Sequence, residues 1–469
     1  MEYMSFDEIV SAVQGEVVLK GEYSGFNAVS TDTRKIEKGN IFVALKGENF
    51  NGNEYIKTAS EKGASICIVD EIGYKDEEIK NYTTVIKVQS TGNALLDLAE
   101  AYRAKLNLKV VGITGSAGKT STKDLVAAAL SGKYKVFKTA GNFNNQIGLP
   151  LMIFKLDNSY DIAVLEMGMN NLKEIHTMAK AARPDIALIT NVGTAHIGKL
   201  GSRENILKAK LEITDFFNSK NILIINGDND MLSSVENSNY QVIKTGIDSN
   251  ADFKADSIEL GEDYVEFEVI EGKGGTKEKF HIDMPGKHTI SNALLAIGCS
   301  KIMNMDYENI RQGLKNLQTT SMRMDIIKGE KFSIINDCYN ANPDSMKVAI
   351  DVLKNSNAKR KVAILGTMGE LGEEAFNSHK DVGEYAGKNN VDLLITIGEY
   401  SKAYEEGFKL VDSGQWTMDS CRYKAFENYD DAVDFLTKEY LQEGDTVLIK
   451  ASRAAKFELI VEKLKKNIS

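Results

Sequence analysis

The chain has 469 residues, 42% hydrophobic and 26% charged, which fits a soluble globular protein of two to four domains. Its 57 basic and 67 acidic side chains leave a formal charge of −10 at pH 7, which argues against nucleic acid or an anionic membrane as the main partner. Any anionic ligand must then be held by a local cluster of donors.

The four cysteines, Cys67, Cys299, Cys338 and Cys421, are far apart and show no metal-ligand spacing, so buried free thiols are expected. No apolar run is long enough to cross a bilayer, and the acidic start "MEYMSFDEIV" lacks the pattern of a signal peptide. A cytoplasmic enzyme without membrane insertion is expected.

In chain order, residues 1–88 mix short strand-like runs ("IFVAL", "ASICIVD", "TTVIKV") with turns and a helix-like "YIKTASEKGA". "TGNALLDLAEAYRAKL" follows with helical spacing and reads as a connector. The rhythm changes near 108. "LKVVGIT", "DIAVLEMG", "DIALITNVG" and "NILIING" are short and β-branched, as strands buried on both faces of a mostly parallel sheet are. After Asp230, "YVEFEVI" and "EKFHIDM" alternate and predict an antiparallel extension, and 288–303 read as a helix. A second α/β rhythm begins near 320, with strands "FSIIND", "KVAILGT", "DLLITIG" and "DTVLIKAS". The reading is α/β with three domains: a small module over 1–88, a central mostly parallel sheet over 89–317, and an open α/β domain over 318–469.

"VVGITGSAGKTSTKDLV" (110–126) places small residues, Lys119 and hydroxyls between a strand and a helix. That context defines a phosphate loop: glycines let backbone N–H groups approach an anion, and the helix start adds positive potential. Lys119 supplies a mobile charge and Thr120 a hydroxyl for Mg²⁺. The longer G-x-x-x-x-G-K-[ST] spacing needs glycine at 113, where the chain has Ile113. Taken alone, the loop fits an ATPase, a kinase, a GTPase or a ligase.

Glu166 ends a buried strand, where ligands gather in open α/β sheets, and its carboxylate suits Mg²⁺. It also reads as an ordinary strand-end acid. His196 follows the next strand; a lone histidine there is more often a loop residue with a satisfied hydrogen bond, but its place at a neighbouring strand end favours the same site. Lys210 sits in "SRENILKAKLEI", whose Ser202–Asn205 start is an imperfect capping box, and by itself is a solvated helix lysine. "GNFNNQIGLP" offers Asn142, Asn144, Asn145 and Gln146 as neutral groups able to orient phosphate or water, or as an asparagine-rich turn.

Together and in order, these segments resemble the Mur ligase family over nearly the whole chain. "STDTRKIEKGNIFVALKGENFNGNEYI" is similar to its UDP-sugar module. "GITGSAGKTST", "NFNNQIGLP", "EMG", "NVGTAHI", "RENILKAKLEI" and "MPGKHTISNALLAIG" are similar to its ATPase-like central domain. "INDCYNANPDSMKVAI", "LGTMGELG" and "IKASRAAKFELIV" are similar to its Rossmann-like C-terminal domain. The family loop is a shorter T-G-x-x-G-K-[ST], here Thr114 to Thr120, so Ile113 is no departure. Two departures exist: Lys173 in "EMGMNNLKEI" and Met322 in "SMRMDII" stand where the family usually has glycine.

The resemblance implies ATP-dependent amide ligation through an acyl phosphate, with two Mg²⁺ ions. It is strongest to members that add D-alanyl-D-alanine to a UDP-N-acetylmuramoyl-tripeptide, acting as monomers. It implies ATP contacts from Thr114, Gly115, Ser116, Ala117, Gly118, Lys119, Thr120, Ser121, Asn145, Asn292, Arg323 and Asp337. It implies metal contacts from Thr120, Glu166, His196 and Lys210, the last as a carbamate. Ser30, Asp32, Arg34, Lys46, Gly47 and Asn53 match UDP-sugar positions. Tyr339, Asn340, Asn342, Ser345 and Arg453 match dipeptide positions. A tripeptide-forming ligase, a folylpolyglutamate synthase and a non-catalytic nucleotide-gated module are the alternatives. The first usually carries a D-N-P-R-like motif, absent here, and the second lacks the UDP-sugar module.

Overall fold

The computed structural model describes residues 1–22, 25–411 and 422–468. Three principal sheets follow one another along the chain. The first has five strands, with Ala28–Ser30, Asn40–Val43, Ile66–Val69 and Thr84–Lys87 parallel and Glu16–Leu19 antiparallel at one edge.

The second sheet has nine strands. Toward one end of it, Lys109–Thr114 is flanked in parallel by Ile162–Glu166 and Ile186–Ile189. Continuous β-branched runs suit this place because helices cover both faces. Val111, Ile113, Val164 and Leu188 pack under the helices Lys119–Ser131 and Lys287–Ile302. Val110, Ala163, Leu165 and Ala187 face the opposite layer, which holds Thr91–Ala104 and Glu174–Ala182. The alternating strands Val265–Glu271 and Lys277–Ile282 extend the sheet antiparallel, as their period of two predicts.

Register decides where the site lies. Glu166 pairs with Ile113, and Ile189 with Thr114, so these three strands end level with one another. The third sheet has six strands, all parallel except the edge strand Asp325–Ile327.

The stretch read as a connector is the helix Thr91–Ala104, capped by Ser90, and its Leu95, Leu98 and Tyr102 share one core with Ile41 and Ile66 of the first sheet and Val110 of the second. Cys67, Cys299 and Cys338 are buried free thiols, as expected; Cys421 lies outside the described residues. Among the described residues no helix is long and apolar enough to cross a membrane.

Candidate functional site

The phosphate loop leaves the central strand at Thr114 and turns at two glycines. Gly118 has φ 79°, and a Cβ there would come within 3.0 Å of Asn292 Oδ1. At Gly115 a Cβ would meet Thr190 Oγ1 at 1.8 Å. Both positions therefore need a residue without a side chain. Asn191, just past the neighbouring strand, accepts from Ser116 N and Ala117 N at 3.0 and 2.9 Å and holds the loop open from below. Lys119 opens the helix Lys119–Ser131, and its Nζ donates to Gly115 O at 2.7 Å. Burial lowers the Lys119 pKa, opposed by the Glu166 carboxylate and assisted by the Arg323 guanidinium.

The loop floors a cleft of about 500 Å³. Ser116, Ala117, Gly118, Lys119, Thr120, Asn145, Glu166, His196, Arg323, Tyr339, Asn340, Asn342, Ser345 and Arg453 all line it. Residues more than two hundred positions apart thus meet in one space. An adjoining pocket of about 160 Å³ is lined by Ser121, Asn292 and Asp337, with His288 and Lys450. Thr114 and Gly115 lie beneath the loop and line neither space.

Glu166 carries an open valence. Its Oε1 accepts from Asn144 Nδ2 at 2.8 Å, while the buried Oε2 has no partner. A strand-end carboxylate oxygen left without a partner, on a cleft that Thr120 and His196 also line, is the kind of hard donor that suits a divalent cation. Lys210 differs. It is 1% exposed on the helix Arg203–Leu211 and does not line the cleft. Burial and the positive charge of Lys119 push its pKa well below the usual lysine value. A solvated helix lysine, the reading of that segment by itself, is therefore corrected. Ser202 caps this helix through Asn205 N at 3.2 Å, but Asn205 Nδ2 turns to Leu200 O, so the box is one-sided.

The C-terminal module closes over the loop. Arg323 Nη2 donates to Thr120 Oγ1 at 3.2 Å, and its guanidinium lies 4.1 Å from the centre of the Tyr339 ring. Asn342 Nδ2 donates to Ser116 O at 3.3 Å, and Thr194 N donates to Asp344 Oδ2 at 3.1 Å. Asn342 and Ser345 form a reciprocal cap on the helix Pro343–Asn355, so they frame the cleft with polar groups already engaged. Asp337 is similarly occupied: Oδ1 accepts from Met324 N at 3.3 Å, and Oδ2 pairs with the buried Lys450 ammonium.

The candidate UDP-sugar residues lie apart from this cleft. Asp32 and Arg34 line a separate pocket with Phe50 and Tyr55, whose rings stack at 5.5 Å. A two-point pair with Arg34 holds the Asp32 carboxyl at about 2. Ser30, Lys46, Gly47 and Asn53 are outside this pocket. Ser30 Oγ accepts from Asp32 N at 3.1 Å. Lys46 pairs with Glu71. Asn53 is 4% exposed, and its amide donates to Asn51 and Asp70 at 2.8 and 2.7 Å, so it ties its turn to the end of the strand Ile66–Val69.

Both departures from glycine have a backbone consequence. Lys173 has φ 73° and Met322 φ 61°, so each side chain occupies a left-handed conformation that costs glycine nothing. Lys173 N still donates to both Glu212 oxygens, at 2.8 and 2.9 Å. Met322 O accepts from Tyr339 N at 3.3 Å. Both segments thus keep backbone hydrogen bonds despite the left-handed conformation.

Fold, phosphate loop and interdomain cleft define a nucleotide-dependent ligase class, and the chain belongs to the Mur ligase family. Models of its catalytic, middle and glutamate ligase domains match residues 26–103, 113–300 and 322–453. The chain is 37% identical to the UDP-N-acetylmuramoyl-tripeptide–D-alanyl-D-alanine ligase of Bacillus subtilis, over 94% of each chain. It is 34% identical to the ligase of the same name from Escherichia coli, over 96% of this chain and 97% of that one. A crystal structure of MurF from Acinetobacter baumannii superposes with a TM-score of 0.88 at 28% identity, covering 99% of this chain and 100% of that one. MurF of Thermotoga maritima, solved in complex with ADP, gives 0.82 at 25% identity, over 94% and 98%.

Proposed function

We infer that this chain joins D-alanyl-D-alanine to a UDP-N-acetylmuramoyl-tripeptide at the expense of ATP, forming ADP, phosphate and the pentapeptide. The observation that carries this reading is the single cleft in which the phosphate loop and Glu166 meet Tyr339, Asn340 and Arg453 of the C-terminal module. The names of the relatives, including one solved with ADP, support the same substrates.

The chemistry follows from the electrophile. A carboxylate resists attack by an amine, so its oxygen first takes the γ-phosphoryl group and ADP leaves. The dipeptide amine then attacks the acyl carbon, phosphate departs with the C–O electron pair, and the amine proton is lost. Catalysis is positioning and charge neutralisation. Lys119 and the loop N–H groups hold the β- and γ-phosphates, with Arg323 reaching the same charge from the other module. Asn292 and Ser121 face the nucleoside side. Thr120, Glu166 and His196 would hold Mg²⁺, which supplies countercharge for the phosphoryl oxygens. Lys210, as a carbamate, would add an anionic oxygen behind them. Arg453 and Tyr339 receive the dipeptide, and Asp32 and Arg34 the nucleotide sugar. Domain division at 88/89 and 317/318, a monomeric state and a cytoplasmic setting complete the proposal.

Phosphate release tests it. Purified protein with ATP and Mg²⁺ is expected to release phosphate only when both UDP-muramoyl-tripeptide and D-Ala-D-Ala are present. Release with neither marks a simple ATPase; release with glutamate and a folate marks a folylpolyglutamate synthase; a shorter UDP-peptide with a diamino acid marks the tripeptide-forming step; no release under any pairing marks a binding module.

A further inference from the structure

Glu370 has no part in the roles above, yet it lines the cleft from the C-terminal module. The segment that carries it is anchored at its root by the buried His379. Met368 N–H donates to His379 Nε2 at 2.9 Å, and Nδ1 donates to Ala375 O at 2.6 Å. The accepting Nε2 assigns the proton to Nδ1. From this root the backbone turns at Glu370 with φ 65°. Its Oε2 comes within 2.5 Å of His196 Nδ1, on the central module. The approach is too poorly aligned for a hydrogen bond, and Nδ1 has no other partner.

His196 is itself left-handed, with φ 67°. Two non-glycine residues are thus held in a costly conformation on either side of one contact, which persists only where surrounding structure enforces it. The enforcement is visible beside them. A Cβ on Gly198 would meet Gly372 N at 2.7 Å and Leu371 C at 2.9 Å, so the two backbones pack without a side chain between them.

We propose that Glu370 is a positioning residue for His196, its carboxylate set against Nδ1, which no other group engages, so that Nε2 is the nitrogen left for a divalent cation. Histidines that hold a metal through one nitrogen usually pair the other with a carboxylate or carbonyl, which fixes tautomer and ring orientation. Here that carboxylate arrives from a different module. The cation site is therefore finished only when the C-terminal module docks, which ties closure of the cleft to assembly of its metal. The inference rests on the reading of His196 as a metal ligand.

The test uses Mn²⁺ as the probe, titrated into the full chain with ADP and read by the EPR signal of free Mn²⁺, so that no turnover is needed. Glu370→Gln keeps size and backbone conformation, and is expected to weaken Mn²⁺ binding about 10-fold. Gly198→Ala keeps both side chains but drives a methyl group into the facing backbone, and is expected to weaken it similarly. Native affinity in Glu370→Gln, with His196→Ala weakened, overturns the positioning role and leaves the metal reading standing. Native affinity in Gly198→Ala overturns the docking requirement. Native affinity in His196→Ala overturns the metal reading, and the inference with it.

Discussion

Arg323 reaches across the seam between two modules and donates to Thr120 at 3.2 Å, while Tyr339 supports its guanidinium from 4.1 Å. The planar cation is fixed in place before any phosphate arrives, so little reorganisation is left for the reaction. Arg323→Lys is expected to lower kcat by about 10²-fold, the scale for removing one preorganised donor to a developing charge. Affinity for the UDP-substrate, measured by calorimetry without ATP, is expected to stay unchanged.

Lys119→Ala separates the modules functionally. Acyl-phosphate formation is expected to vanish, because loop N–H groups alone do not offset the transferred charge. UDP-substrate binding is expected to survive, since Asp32 and Arg34 lie in their own pocket. Loss of both would contradict separate binding sites. Trapping the acyl phosphate by borohydride reduction gives the first readout, and calorimetry the second.

Burial and the charge of Lys119 lower the Lys210 pKa and so favour its neutral amine. A neutral amine is the form that would add to CO₂, forming an N–C bond as one C=O π bond opens and losing a proton to solvent, to give the anionic carbamate proposed above. Lys210→Ala is expected to abolish activity, with partial recovery in short carboxylates such as formate or acetate. Full activity in the variant would remove the residue from the mechanism.

Lys173 invites a stabilising change. Its side chain is exposed and its φ is 73°. Lys173→Gly removes a left-handed penalty and keeps the N–H bonds to Glu212. A gain of about 0.5–1 kcal/mol is expected after the greater chain entropy of glycine. Urea unfolding checks it, and equal or lower stability would mean that the turn is relaxed with lysine.

His288 gives the acid limb of stability a specific cause. Burial pushes its imidazole down to about 4 from the ordinary 6.5, against Asp337 and with Lys450. The folded protein then holds fewer protons than the unfolded chain between those values. The contribution of neutral His288 is whole above about 6.5 and is lost as pH falls toward about 4. His288→Gln is expected to flatten the fall in unfolding free energy between pH 7 and 5. An unchanged slope would assign that limb to other groups.

Local pattern made the central strands and the phosphate loop legible, because β-branched runs and small residues before Lys119 have few other uses. Glu166 and His196 were visible as polar residues at strand ends. Their mutual placement was not, since it depends on register. Lys210 shows the limit most clearly: helical spacing by itself makes it a surface lysine, and only the packed structure buries it. Asn191 and Glu370 were missed as individual positions, although both stand in quoted motifs. Asn191 sits directly after an apolar strand, which is the signal that would have found it. Glu370 leaves no such trace, because its partner lies 174 positions away and only the docked modules join them. Asn53 shows a second limit: the pattern marks it as polar, but not that its amide is engaged by Asn51 and by Asp70, seventeen positions on.

The level ends of the strands Lys109–Thr114, Ile162–Glu166 and Ile186–Ile189 carry one more implication. Adjacent strands stand roughly 4.8 Å apart, and backbone hydrogen bonds set that interval. The distance from phosphate loop to carboxylate is therefore a dimension of the sheet, which works as a gauge that no single side-chain exchange can recalibrate. A redesign toward another amine or another nucleotide sugar has to be written in the flanking modules. The gauge itself answers only to insertions and deletions within the strands.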